Sequence, residues 1–298
     1  MSRFVGALSL LVALIPILAC SRAARMGREP FDCEREGLTL KESKWFHPTT
    51  RDARGVVLLV HGLNLKPSRM DSLAELIRKQ GYEVLRLALS GHHGDIEEFK
   101  KVSAKQWLGE AAAGYCLGLN RSRVLGKPLL FVGFSLGGLL GETLLNTSFE
   151  PPVAFEKVVL IAPAISVRAR SHLVRALRVL GSSYVVSSGN SEAYRAGPGT
   201  PIAAYDATFD LISELSASGF ERSNVPTIVF LEPDDELVDS SGVAEIREKF
   251  ALTRWKLVYV SNAESALAGK RHHLLIDESS AGPRQWSEMS REITEFLR

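Results

Sequence analysis

The sequence predicts an α/β chain built on a doubly wound, mostly parallel sheet with a helical cap inserted late in the order. Three observations carry that expectation. Short apolar runs recur at Val56–Val60, Val84–Leu89, Leu129–Val132, Val158–Ile161, Thr227–Leu231 and Leu257–Val260. Most are uninterrupted rather than alternating, as strands buried on both faces of a parallel sheet must be. Segments with helical spacing stand between them, and strand, helix, strand in repetition implies right-handed crossovers. The chain has 298 residues, 45% hydrophobic and 23% charged, an ordinary globular composition that can bury a substantial core. Its net charge of +2 supplies no global field that would argue for a nucleic-acid partner.

The chain opens on a segment of another kind. In MSRFVGALSLLVALIPILAC a basic Arg3 precedes an apolar run from Phe4 to Leu18, and small Ala19 stands before Cys20. A charged start, a short apolar stretch and a small-residue cleavage site make an export signal over residues 1–19. The run is too short and too early for a comfortable membrane span. Its ending ILAC resembles the bacterial lipoprotein cleavage box, in which the cysteine is lipidated and becomes the new first residue. Ser21 follows it, which resembles the outer-membrane sorting pattern. The expectation is a lipid anchor at Cys20, a polar tether over 20–37, and a domain over 38–298 on the periplasmic side of the outer membrane. Export leaves Cys33 and Cys116 as an even pair in an oxidising compartment. A disulfide and two free thiols are both compatible with the sequence alone.

Within the domain, Leu73, Leu76 and Ile77 fall on one helical face after Ser72, and Trp107, Ala111 and Tyr115 share another. Leu136–Leu145 forms an apolar helix; Ile246 and Phe250 mark a later one, and Ile293, Phe296 and Leu297 the last. The interval of about 163–224 shows no buried strand and is too long for a structureless loop, so it reads as a cap with helices of its own. There SVRARSHLVRALRVLG puts Arg168, Ser171, Arg175 and Arg178 on one side of a helix and Leu173, Leu177 and Leu180 on another. Such a basic amphipathic helix either turns its charged face to solvent or lies on anionic headgroups.

The chemistry concentrates at loops that follow strands. In FVGFSLGGLLGE, Ser135 sits in a G-x-S-x-G pattern between a strand and a helix, the setting of a nucleophile on a sharp turn. Gly133 and Gly137 leave room where side chains would strike the neighbouring strand and helix. GVVLLVHGLN ends a strand in His61-Gly62, so the backbone amides of Leu63 and Leu136 are candidate donors to a developing oxyanion. TIVFLEPDDELVD ends another strand in Asp234 and Asp235; Asp235 stands three residues before Val238 and is the candidate acid, with Asp234 as the alternative. GKRHHLLIDE places His272 and His273 before the final helix, where a histidine could take the serine proton and return it to a leaving group.

HGLN, LSGHHGD, GFSLGG, LEPDDELV and HHLLID stand in an order and at separations that resemble the α/β-hydrolases, in particular the carboxylesterase, monoacylglycerol lipase and serine aminopeptidase-like branch. The resemblance spans about Val56 to Asp277. It implies a serine hydrolase acting on an ester, with no metal or organic cofactor; the expected membrane tether points to a small-molecule or lipid ester of acylglycerol or lysophospholipid type. A peptidase or thioesterase could use the same triad, and a non-catalytic envelope lipoprotein is a third alternative. Family members commonly carry a histidine, three or four apolar positions, then an acid. His272 to Asp277 fits that spacing, so the resemblance assigns His272 as the base and leaves His273 as the alternative. His92 and His93 match a family loop whose histidine is structural or at the pocket rim.

Overall fold

The computed structural model describes residues 33, 40–50, 52–147, 149, 151–265 and 271–298. The export signal expected over 1–19, the lipidation site Cys20 and, Cys33 apart, the tether to residue 37 lie outside the described residues. The strands are β1 Lys44–Phe46, β2 Val56–Val60, β3 Glu83–Leu87, β4 Leu129–Phe134, β5 Val158–Ile161, β6 Val185–Ser187, β7 Gly199–Pro201, β8 Thr227–Leu231 and β9 Trp255–Tyr259. The α-helices are α1 Asp71–Lys79, α2 Ile96–Phe99, α3 Ala104–Leu125, α4 Leu136–Asn146, α5 Ile202–Ser218, α6 Ser240–Lys249, α7 Glu278–Ala281 and α8 Pro283–Leu297.

Seven strands form one sheet in the order β1-β3-β2-β4-β5-β8-β9. β1 pairs antiparallel with β3 at one edge, and every other neighbouring pair is parallel. The doubly wound, mostly parallel architecture expected from the unbroken apolar runs is therefore present. Its physical basis is visible in β2, where Val56, Leu58 and Val60 enter one core and Val57 and Leu59 the other, all fully buried. Successive strand side chains point to opposite faces, so a strand between two helical layers must be apolar throughout. Leu139, Leu211 and Val243 close the first core, and Leu73, Ile77, Met289 and Ile293 the second. The winding reverses at β2, with β3 on one side and β4 on the other. Loops leaving the carboxyl ends of β2 and β4 diverge there and open the crevice in which such sheets hold ligands.

Three local features depart from the sequence reading. β3 stops at Leu87 rather than Leu89, because the Leu89 amide turns away to donate to the His61 ring. Between β5 and β8 the arginine-bearing segment Ala169–Leu180 is a 3-10 helix rather than an α-helix, and none of its residues is buried. Ser171, Val174 and Leu177 are its half-buried positions, at the three-residue period of that helix. A short antiparallel hairpin of β6 and β7, unread in the sequence, then leads into α5. Cys33 and Cys116 form a disulfide that ties the N-terminal arm to α3.

Candidate active site

The turn from β4 into α4 brings Ser135 to the crevice in a conformation that side chains seldom adopt, with φ at 52° and ψ at −114°. The backbone is held there by its neighbours. The Ser135 amide donates to Ile161 O at 2.9 Å, and its carbonyl accepts from the amides of Ala164 at 3.0 Å and Leu139 at 3.1 Å. Glycine is obligatory on both sides of the turn. A Cβ on Gly133 would lie 2.6 Å from the Gly138 nitrogen, and one on Gly137 would lie 2.2 Å from the Val60 carbonyl oxygen. Leu136 is the first residue of α4, so its N–H has no partner within the helix and points with the helix's positive end.

His273, not His272, stands beside that serine. The His273 Nε2 lies 2.8 Å from Ser135 Oγ, and its Nδ1 lies 2.7 Å from Asp235 Oδ2. A carboxylate can only accept, so Nδ1 carries the ring proton and Nε2 accepts from the serine hydroxyl. The placement expected for His272 is thus corrected by one residue. His272 Nδ1 instead donates to Asn262 Oδ1 at 3.0 Å, a side chain whose amide is committed to Arg271 O. The reason is the phase of the chain. Leu274, Leu275 and Ile276 are all buried, and Asp277 then caps α7, accepting from the Ser280 amide at 2.8 Å. Counting back three apolar residues from that cap reaches His273.

Asp235 rather than Asp234 meets the histidine: Asp235 is buried and Asp234 exposed. Its Oδ1 accepts from the amides of Leu237 at 2.7 Å and Val238 at 2.9 Å, which leaves Oδ2 for the imidazole. Burial raises the Asp235 pKa, but the His273 charge and hydrogen bond and the two amides outweigh it, so the carboxyl is held below its ordinary range. Burial likewise lowers the His273 pKa, and the Asp235 carboxylate, followed by Glu236, more than reverses it.

The turn carrying Leu63 is fixed by two neutral histidines. Buried His61 donates from Nδ1 to Gly62 O at 2.8 Å and accepts at Nε2 from the Leu89 amide at 3.1 Å. His92 repeats the pattern, with Nδ1 on Ser90 O and Nε2 accepting from the Asn64 amide at 3.1 Å. Burial lowers both, His92 to about 4, and one ring meets the other edge-on at 4.6 Å. A Cβ on Gly62 would lie 3.1 Å from Ser135 Cβ, so this turn presses directly against the serine. His93 is outside the group and pairs with Glu42.

Over Ser135 lies a cavity of about 210 Å³. Leu63, Phe134, Leu136, Ile212 and Val238 contribute apolar lining; Ser187, Asn190, Thr200, Glu236 and Arg271 contribute polar lining. The cap is stapled to the acid loop. Arg168 donates to the carbonyls of Asp235 and Pro233, Arg170 to that of Glu236, and Val167 bridges Val238. Arg175 lies over the Phe209 ring and Arg178 pairs with Asp206 at 2.5 Å, so all four arginines are engaged with protein. Among the described residues no group of three or more His, Cys, Asp or Glu side chains is arranged to hold a metal ion.

A family model described as serine aminopeptidase matches residues 51–278. Among solved structures, one from work on the metagenome-derived lipolytic enzymes LipS and LipT superposes with a TM-score of 0.67 at 20% identity, covering 86% of this chain and 98% of that one. A soluble variant of the Saccharomyces cerevisiae monoglyceride lipase, bound to a substrate analogue, gives 0.69 at 14% identity, with 91% and 98% covered. The monoacylglycerol lipase of Paleococcus ferrophilus gives 0.59 at 20% identity, with 86% and 97% covered. At these identities the likeness is one of fold. No curated protein matches the sequence.

Proposed function

The chain belongs to the serine aminopeptidase family of α/β-hydrolases, and from that premise we propose that it is an esterase working through an acyl-enzyme. The observation that carries the reading is the hydrogen-bonded line Ser135–His273–Asp235 beside a largely apolar cavity. Ser135 Oγ attacks the ester carbonyl as its proton passes to His273 Nε2. Asp235 stabilises the imidazolium, and the amides of Leu63 and Leu136 receive the oxyanion. The proton then goes to the leaving alcohol, and a water activated by the same imidazole releases the acid. The apolar lining suits an acyl chain, and the polar lining a hydroxylated or zwitterionic alcohol portion, as in an acylglycerol or a lysophospholipid.

An aminopeptidase would need an acidic group free to receive a substrate ammonium. Among the described residues, Glu236 is the one carboxylate lining the cavity, and two backbone amides and Arg271 already engage it. That favours the ester reading. The proposal extends to location: export, acylation at Cys20 and residence at the periplasmic face of the outer membrane. Among the described residues no helix is long and apolar enough to cross a membrane.

Labelling with a fluorophosphonate tests the nucleophile, with label expected on the wild type and lost in Ser135→Ala. A panel of monoacylglycerols, lysophospholipids, acyl thioesters and aminoacyl anilides then tests the substrate class; turnover confined to the anilides would refute the ester reading. Metabolic labelling with a fatty-acid probe, lost in Cys20→Ala, tests the anchor.

A further inference from the structure

The polar lining of the cavity contains a carboxylate for which the triad has no use. Glu236 Oε2 accepts the backbone N–H groups of both His272, at 2.8 Å, and His273, at 3.0 Å. Two consecutive amides converging on one oxygen fix the direction of the chain as it enters the histidine, and with it the ring's approach to Ser135. Without that oxygen both amides would lose their acceptor in a partly buried loop. The other oxygen, Oε1, faces the Arg271 guanidinium at 3.8 Å, and Arg271 Nε donates to Gly189 O on the cap at 2.9 Å.

We propose that Glu236 is a positioning residue for the base: it clamps the His272–His273 backbone and places a second negative charge beside the imidazole. The proposal rests on the reading of Ser135, His273 and Asp235 as a triad. The other groups facing the histidine loop are accounted for. Asp235 and Ser135 hold the two ring nitrogens, the Phe134 ring lies 5.1 Å from the imidazole, and His272 turns away to Asn262. From the cap, Arg168 donates to the carbonyls of Asp235 and Pro233 and Arg170 to that of Glu236. Burial lowers the His273 pKa, and the carboxylates of Asp235 and then Glu236 raise it above the ordinary histidine value. A base kept protonated to higher pH is also a stronger proton acceptor once neutral, and its activity falls off sooner on the acid side.

Two substitutions separate the clamp from the charge. Because both amides meet one oxygen, the amide oxygen in Glu236→Gln can accept them while the charge is lost. In Glu236→Ala both are lost. With p-nitrophenyl butyrate as the probe, Glu236→Gln should move the acid limb of kcat/KM to lower pH by about half a unit or more, with plateau kcat within about threefold of wild type. Glu236→Ala should lower plateau kcat at least about tenfold with KM little changed, since a misplaced base weakens the transition state rather than binding. An unmoved acid limb in Glu236→Gln overturns the proposal, as does a Glu236→Ala defect confined to KM. If the alanine variant does not fold, the glutamine variant still decides. Failure of the wild type to label with a fluorophosphonate would sink the triad reading itself, an outcome separate from either.

Discussion

Alanine at His273 and alanine at His272, made separately, remove imidazoles that are adjacent in sequence and opposite in surroundings. His273 Nε2 is 2.8 Å from the serine oxygen, and among the described residues no second group is placed to take its proton, so the first variant loses general base and general acid together. Removal of one triad member costs about 10⁴-fold to 10⁶-fold in kcat, and the lower figure alone is about 5.5 kcal/mol of barrier. Buried Asp235 would keep its two amide donors but lose its imidazole donor, so a stability loss of about 1–3 kcal/mol should accompany inactivation. Among the described residues the His272 ring makes one hydrogen bond, to Asn262. Asn262 keeps its bonds to Arg271 O and Glu232 without it, so the second variant should lose about 1 kcal/mol and stay within about threefold of wild-type kcat/KM. The assay is kcat/KM on p-nitrophenyl butyrate across pH, with circular dichroism to establish folding. In the wild type the free-enzyme acid limb should fall above the ordinary histidine value of 6.5, because a raised pKa keeps the base protonated, and inactive, to higher pH. A folded His273→Ala retaining a tenth of wild-type activity, or an inactive but folded His272→Ala, would refute the reasoning.

Three further outcomes follow from packing and burial. Glu142, fully buried in α4 with its carboxyl accepting from Ser223 Oγ, is pushed up by burial to about 8 from 4.5. The folded state then keeps a proton that the unfolded state releases, so this group's effect on stability is most favourable below about 4.5 and worsens as pH rises toward 8. Urea melts should show Glu142→Gln gaining on wild type between pH 5 and pH 8 by on the order of 3 kcal/mol. The Cys33–Cys116 disulfide spans a sequence separation of 83, and converting both cysteines to serine should cost about 4 kcal/mol and lower Tm by about 10 °C in a thermal melt. Gly137→Ala drives a Cβ to 2.2 Å from the Val60 carbonyl, backbone that cannot move aside; a loss above about 3 kcal/mol, together with loss of fluorophosphonate labelling, is expected.

The sheet was legible because its strands are buried on both faces and therefore written as unbroken apolar runs. The parts that escaped lack that signature. β1 has three residues, one of them buried, and β9 at the opposite edge, read as Leu257–Val260, in fact begins at Trp255, with exposed and half-buried positions after it. The β6–β7 hairpin pairs only three positions and is closed by Gly199 and Pro201, residues that ordinarily mark loops. In the cap, Ala169–Leu180 buries none of its leucines fully: Leu177 is half-buried, and Leu173 and Leu180 are 73% and 53% exposed. Arginines that looked like a solvated face are anchored to the acid loop and to α5, a tertiary fact that no period in the sequence encodes.

The site was legible to the extent that local backbone chemistry dictates it. Ser135 announced itself because the glycines beside it are required by a Val60 carbonyl and a Gly138 amide. Asp235 did so because an Asp three residues before Val238 can take that amide onto one oxygen and offer the other outward. The histidine doublet offered no such local requirement, since a spacing of three or four positions before Asp277 admits both residues. The surroundings of Asp277 supply it. Asp277 is pinned by a reciprocal capping box with Ser280 and by the Tyr194 hydroxyl, and the three side chains before it must all be buried. A helix cap has one residue's tolerance at most, whereas a loop leaving an edge strand has several. The cap therefore fixes the phase, and it reaches the crevice at His273.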